Sequence, residues 1–268
     1  MLMLQNVSVT FFKGTLNAHQ AINTVSLHLV QGDFVTVVGS NGAGKSTLLN
    51  AICGGVPVDG GRILLGGEDI TFLPDYKRAR RIGRLFQDPM RGTAPDMTLA
   101  ENLALAYARG ARSPFSLGVR AKDIARFREA LSAFHMGLED RLHMKVGLLS
   151  GGQRQAMALL MATIASPSLL LLDEHTAALD PATAETVLRI TQEIVRAQRL
   201  TTLMITHNLY SALSLGNRTV MMDAGRIVLD VSGKERESMT VDGLLSRYAQ
   251  ASGEAFGSDR ALLSRRVS

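Results

Sequence analysis

The sequence predicts an α/β fold: a mostly parallel sheet covered by helices on both faces, with an all-helical segment inserted in it. Three observations carry that expectation. Short apolar runs recur at "GDFVTVVG" (32–39), "LLLLDE" (169–174) and "TTLMITH" (201–207), and they read as strands buried on both faces. Helical patterns lie between them, so strands alternate with helices. Residues of about 91–160 show helical patterns only. At 268 residues, with 46% hydrophobic and 20% charged side chains, the chain can fill one such core, or one core and a smaller lobe.

The elements follow in order. "MLMLQNVSVTFFKG" sets Leu4, Val7, Val9 and Phe11 among polar residues, as a strand does. It lacks a basic n-region and a long apolar h-region, so it is not expected to be a signal peptide. "TLLNAICG" (47–54) reads as a helix after the first buried strand. "TLAENLALAYARG" (98–110) and "VRAKDIARFREALSAFHM" (119–136) are expected helices, joined by a loop at "RSPFSLG" (112–118). The second carries an apolar stripe of Ile124, Phe127, Leu131 and Phe134 that faces the core. "TAETVLRITQEIVRAQ" (183–198) places Val187, Ile190, Ile194 and Ala197 at steps of three and four, with Pro181 in the turn before it. "RTVMMDAGRIVLDV" (218–231) is a hairpin around Ala224-Gly225. Residues 1–240 are expected to form the domain, and 241–268 a short polar tail with poorly ordered last residues.

Bulk properties exclude some classes. The net charge of +5, from 29 Lys plus Arg against 24 Asp plus Glu, permits an anionic ligand or a membrane-surface location and demands neither. Cys53 is the single cysteine, a small core residue by position, so no intramolecular disulfide or cysteine-based metal site forms and a reducing compartment is the simplest reading. No segment approaches the roughly 20 continuous apolar residues of a membrane span, so any membrane role must come through a partner. His19, His28, His135 and His143 show no metal spacing. The basic run "YKRARRIGR" (76–84) reads as the solvated face of a surface helix, and a nucleic-acid partner is not expected.

Two stretches carry phosphate chemistry. "GSNGAGKST", from Gly39 through Ser40, Asn41, Gly42, Ala43, Gly44, Lys45 and Ser46 to Thr47, matches G-x-x-x-x-G-K-[ST] between a buried strand and a helix. Its glycines let backbone N–H groups curl around phosphate oxygens, and the helix start adds partial positive charge. Lys45 is expected to reach the β- and γ-phosphates and Ser46 to offer its hydroxyl to Mg2+. "LLLLDE" delivers Asp173 and Glu174 to the C-terminal end of a buried strand, the edge where open α/β sheets bind ligands. Asp173 suits the outer shell of Mg2+, and Glu174 can point at an attacking water. A third stretch, "VGLLSGGQRQAMALLMA" (146–162), puts two glycines in the first turn of a helix, as a helix does when a ligand must approach its backbone.

The ordered set "GSNGAGKST", "LFQDP", "LSGGQ", "LLLLDEH", "AALD" and "ITHN" resembles the ATP-binding subunit of an ABC transporter, over roughly residues 4–230. The resemblance implies a RecA-like P-loop NTPase core with a mostly parallel sheet, an N-terminal antiparallel β part and an inserted α-helical subdomain. It implies two copies in a homodimer sandwiching two ATP molecules. Ser150, Gly151 and Gly152 would then face the γ-phosphate of ATP held by the opposite subunit, and the helix from Gln153 onward would aim its N-terminus at it. Gln87 matches the Q-loop glutamine, which senses the γ-phosphate and Mg2+. His207 matches the switch histidine and Asp180 the D-loop. Phe11 matches the aromatic position that stacks on adenine, with Phe12 adjacent to it. Glu174 would act as general base, with His207, Gln87 and Lys45 completing the catalytic set.

Two positions depart from the family pattern: His175 replaces the usual proline after the catalytic glutamate, and Ala177-Ala178 lacks the usual serine. The His175 change reads as a neutral structural substitution at the turn or as a third polar contact. The resemblance further implies integral membrane permease subunits as partners, a solute-binding protein, and a peripheral place at the cytoplasmic face of the inner membrane. The style of "DPMRGTAPDMTLAENLALA" and "DEHTAALDP" is similar to importers with a branched-chain-amino-acid-type permease. The alternative is a soluble ABC ATPase of iron–sulfur assembly or of another non-transport role. A single set of motifs argues against a translation factor, and the short span from Lys45 to Ser150 against a coiled-coil chromosome ATPase.

Overall fold

The computed structural model describes residues 1–109 and 119–252, so the expected loop at 112–118 and residues 253–268 of the expected tail lie outside the described residues. In chain order the elements are β1 (Leu2–Phe11), β2 (His19–Leu29), β3 (Phe34–Gly39), α1 (Lys45–Cys53), β4 (Gly60–Leu65), β5 (Glu68–Asp69), α2 (Asp75–Arg78) and β6 (Ile82–Leu85). Then come α3 (Leu99–Ala108), α4 (Ala121–Ser132), α5 (Gly151–Thr163), β7 (Leu169–Asp173) and α6 (Pro181–Gln198). The chain continues with β8 (Thr201–Ile205), α7 (Leu209–Ser214), β9 (Arg218–Asp223), β10 (Arg226–Ser232), α8 (Gly233–Glu237) and α9 (Val241–Ser252). It divides into two units, Met1–Arg78 with Thr201–Ser268, and Ala79–Leu200. No helix among the described residues is long and apolar enough to cross a membrane.

The first unit contains an antiparallel sheet in the order β2-β1-β4-β5. In β1 the buried positions run Leu2, Leu4, then Val7, Val9. The slip from even to odd numbers falls at Asn6, whose φ of 48° and shifted pairing mark a bulge that re-aims the strand's apolar face. The same unit holds β3 between β8 and β9, both parallel to it, with β10 antiparallel to β9. All six residues of β3 and all five of β8 are buried, as strands covered on both faces require. The hairpin turns on Ala224 (φ 42°) and Gly225 (φ 76°), two left-handed residues that match the twist of the flanking strands.

The first 12 residues of the expected tail, Val241–Ser252, are a helix. Leu244, Leu245 and Tyr248 of α9 pack with Val38, Leu209, Ala212, Met221 and Val231 in one buried cluster. Three apolar anchors in a polar stretch suffice to dock it.

In the second unit β6 and β7 pair in parallel, and α5 is buried from Gln155 to Thr163. Thr98 and Glu101 form a reciprocal capping box that starts α3. Phe127 and Leu131 of α4 are buried with Phe134 just past its end, while Ile124 is half-buried. Asp180 caps α6 and Pro181 is its first residue, not part of the preceding turn. Val187, Ile190, Thr191 and Val195 are buried and Ala197 is exposed, because a 3.6-residue period carries the last turn out of the expected stripe.

The basic run does not form a surface helix. Its helical part, α2, is four residues long, and Arg84 lies in strand β6. Arg78 is buried and donates from Nη1 to Ala51 O (2.8 Å) and Ile52 O (2.9 Å), from Nε to Leu73 O (2.7 Å) and from Nη2 to Thr71 O (2.8 Å). It thus adds a charged donor to the last turn of α1, where Ala51 O also accepts from Gly54 N–H at 3.2 Å. Burial lowers the pKa of this guanidinium from its ordinary value. Arg78→Met keeps the apolar volume and removes the donor from Thr71 O, Leu73 O and Ile52 O, so it should cost about 2–4 kcal/mol. Urea denaturation measures it, and a loss below about 0.5 kcal/mol would show that the carbonyls find other partners.

Candidate functional site

In the first unit the glycine-rich turn joins β3 to α1. Gly42 and Gly44 have φ of 83° and 97°, and a side chain at Gly44 would collide with the carbonyl of Ala21. Lys45, the first residue of α1, is buried, and its Nζ donates to Gly39 O and Ser40 O, each at 2.8 Å. The ammonium thus ties the first two carbonyls of the turn to the helix start. The N-cap Gly44 offers no side chain to the first amides of α1, and the first turn holds no acidic residue. The positive end of the helix is left to an anion. Ser46 and Asn41 are exposed, and Thr47 is half-buried. From behind, Gly225 of the hairpin turn donates its N–H to Ala43 O (3.2 Å), and its own carbonyl accepts from Asn23 N (2.8 Å).

The same unit places His207 beside this turn by strand register. Val37 pairs with Ile205, and Thr206 donates its N–H to Val37 O at 3.2 Å. His207 therefore stands level with Gly39, each two residues beyond the paired position. It is half-buried, just before Asn208, which caps α7 by accepting from Ser211 N at 3.0 Å. Phe11 ends β1 opposite His19 and is half-buried, while Phe12 has φ 53° and is 71% exposed. The more accessible aromatic face is that of Phe12.

In the second unit β6 and β7 deliver the other expected residues. Leu85 pairs with Leu172, so Gln87 and Glu174 stand level just beyond the strand ends. Gln87 is exposed and Glu174 half-buried. Asp173, the last residue of β7, is buried and faces Arg84 Nη2 at 3.5 Å. Arg84 also lies over the Phe86 ring, 4.5 Å from its centroid. Sequence reasoning missed this ion pair, although an arginine inside an apolar four-residue strand was a signal that a buried carboxylate stood beside it. Glu174 adopts a left-handed backbone, φ 45°.

The signature segment starts α5. Ser150 Oγ accepts from Gln153 N (3.3 Å) and Gln153 Oε1 accepts from Ser150 N (3.2 Å), so these two side chains cap each other. The two glycines part company here. A side chain at Gly152 would collide with Thr183 Cγ2 of α6, so close packing explains this glycine. At Gly151 the nearest atom would be Leu179 Cδ2 at an ordinary 3.5 Å, so its lack of a side chain is not required by the fold. Asp180 is exposed, and its carboxyl, which accepts from the Thr183 hydroxyl and from Thr183 N–H (3.1 Å), is kept below the usual carboxylate range.

His175 is buried, and burial lowers its pKa from 6.5 to about 4. It is neutral at physiological pH.

The ABC transporter family profile matches residues 22–177. A tyrosine transport ATP-binding protein of Clostridioides difficile (strain R20291) is 43% identical over 94% of this chain and 100% of its own length. The phosphonates import ATP-binding protein PhnC 2 of Nostoc sp. (strain PCC 7120 / SAG 25.82 / UTEX 2576) is 35% identical, over 83% of this chain and 90% of its own. Among solved structures, the ADP conformation of the cassette MJ1267 superposes with a TM-score of 0.75 at 27% identity, over 92% of this chain and 98% of that one. A dimeric post-hydrolysis state of the cassette MJ0796 bound to ADP and Pi gives 0.73 at 27% identity, over 87% and 98%.

The neutral burial of His175 has a measurable consequence. Its folded pKa lies below the unfolded value, so the unfolded chain takes the proton first and stability falls as pH drops from about 6.5 toward 4. The full difference is worth about 3 kcal/mol. His175→Gln should lose less stability than the natural chain between pH 7 and 4.5 in parallel urea titrations, and equal pH slopes would count against the neutral buried imidazole.

Proposed function

The chain belongs to the ABC transporter family of ATP-binding proteins, and from that premise we propose that it binds and hydrolyses ATP to drive import of a small solute through separate membrane subunits. The observation that carries the reading is the uncapped start of α1 behind a glycine turn braced by Lys45, a preformed cradle for a polyphosphate. The named relatives are transport or import subunits for tyrosine and phosphonates, which favours this reading over iron–sulfur assembly. A small amino acid is the cargo class we favour, with a permease of the branched-chain-amino-acid type. The subunit sits peripherally at the cytoplasmic face of the membrane, beside the separate membrane subunits it drives.

The roles follow from chemistry. Amides of residues 40–47 and the Lys45 ammonium hold the phosphates and stabilise charge on the transferring phosphoryl group. Glu174 takes a proton from the attacking water, and His207 and Gln87 contact the γ-phosphate. An aromatic face at the end of β1, Phe11 or the more exposed Phe12, stacks on adenine. Ser46, Gln87 and Asp173 offer hydroxyl, amide and carboxylate oxygens. Each is a hard donor of the kind that Mg2+ takes, one or two protein oxygens beside substrate phosphates. When bound, the ion neutralises phosphate charge. Two copies form a dimer, and Ser150, Gly151 and Gln153 face the partner's nucleotide, as does Asp180 across the interface. Gly152 has the packing role described above besides.

Glu174→Gln keeps the shape and removes the base. It should bind ATP normally, lower turnover by at least about 10²-fold and accumulate a dimer with ATP on size exclusion. Hydrolysis at the natural rate would remove Glu174 from the mechanism. Gly151→Asp meets Leu179 only at an ordinary contact distance, so the fold and ATP affinity of the monomer should stay intact while ATP-driven dimerisation and hydrolysis fail. Loss of ATP binding by a folded monomer would mean that the signature serves its own chain.

A further inference from the structure

His175 directly follows Glu174 and is buried. Its Nε2 lies 3.2 Å from Thr191 Oγ1 on α6. The Thr191 hydroxyl has one proton, and it donates that proton to Val187 O at 2.8 Å. The oxygen is therefore the acceptor toward His175, and Nε2 carries the hydrogen. Nδ1 is left as a bare acceptor, buried and without a hydrogen-bond partner.

We infer that His175 is a positioning residue: by donating Nε2–H to Thr191 it ties the end of β7 to α6 and holds Glu174 in the backbone conformation that presents its carboxylate. The inference rests on Glu174 being the general base, as proposed above. Glu174 is a non-glycine residue with φ 45°, a conformation that costs about 1–2 kcal/mol and persists only when neighbours fix it. Two hydrogen bonds do so from the C-terminal side. Ala177 donates its N–H to Glu174 O at 3.0 Å, closing the turn, and His175 anchors the next side chain to the third turn of α6. Without the second bond the turn 174–177 loses its side-chain tie to Thr191, and Glu174 relaxes more readily to negative φ, which swings its side chain away. Packing alone does not account for the imidazole. An apolar side chain of similar volume would fill the site without burying an unpaired Nδ1.

The test separates positioning from structure. ATP turnover, ATP affinity and urea stability are measured for the natural chain and for Glu174→Gln, His175→Leu, His175→Gln and Thr191→Val. His175→Leu and Thr191→Val should each lower kcat about tenfold or more while ATP affinity stays within about twofold, because misplacing a base costs rate and not binding. His175→Gln, which keeps a donor near Nε2, should recover most of the loss. The double variant His175→Leu/Thr191→Val should be no slower than the slower single one, since both remove the same bond. Thr191→Val is nearly isosteric and keeps the test open if His175→Leu fails to fold. Natural turnover in folded Thr191→Val or His175→Leu, or multiplying effects in the double variant, would overturn the inference. If Glu174→Gln itself turns over normally, the general-base reading fails; if Glu174→Gln is inactive and Thr191→Val is not, only the role of His175 fails.

Discussion

The buried ammonium of Lys45 is the interaction on which the nucleotide half of the fold turns. Strand β3 is buried throughout, yet on the reading proposed above it ends in a loop that receives a triphosphate. Lys45 reconciles the two demands. Its charge sits where water is excluded, so it is costly unless oxygens surround it. The carbonyls of Gly39 and Ser40 meet part of that need and in doing so set the curl of the loop. A cation held this way attracts phosphate oxygens more strongly than one in solvent, because little dielectric screening intervenes.

Parallel pairing does the rest of the alignment within each unit. In β3 and β8, and again in β6 and β7, a single register fixes which residues stand side by side beyond the strand ends. A one-residue slip in either pair would reverse the face of every side chain on the strand and bury the polar ends. The apolar residues inside the strands therefore determine where Gln87, Glu174 and His207 stand, although none of them touches a ligand.

Much of this was legible in the sequence, and the limits have physical causes. The buried strands, the hairpin at Ala224-Gly225 and the family followed from local patterns, since apolar runs and glycine turns act within a few residues. Arg78, Arg84 and Gly152 were not legible in that way. Arg78 is defined by carbonyls of α1 more than twenty residues earlier, Arg84 by a carboxylate on a neighbouring strand, and Gly152 by a methyl group on α6. Charge in a sequence suggests solvent; only tertiary contacts reveal that it has been buried and paired. Helix α9 escaped for a related reason, because three apolar residues in a polar segment identify a docked helix only when the receiving cluster is known. For the residues of the candidate site, motif order picks out positions, and strand register supplies the placement that the motifs leave open.

The turn between β9 and β10 has a consequence for biosynthesis. Its Gly225 bonds to Ala43 in the phosphate loop, and the strand that leads into that loop lies between two strands made much later, with Phe34 and Asn217 bonded across 183 positions. A ribosome adds about 5–20 residues each second, so the loop leaves the exit tunnel many seconds before its supports exist. Until then β3 is an unpaired apolar strand whose loop lacks its brace. The emerging chain braces this loop only once β9 and β10 have been made, and over that interval its central strand is open to pairing with another copy.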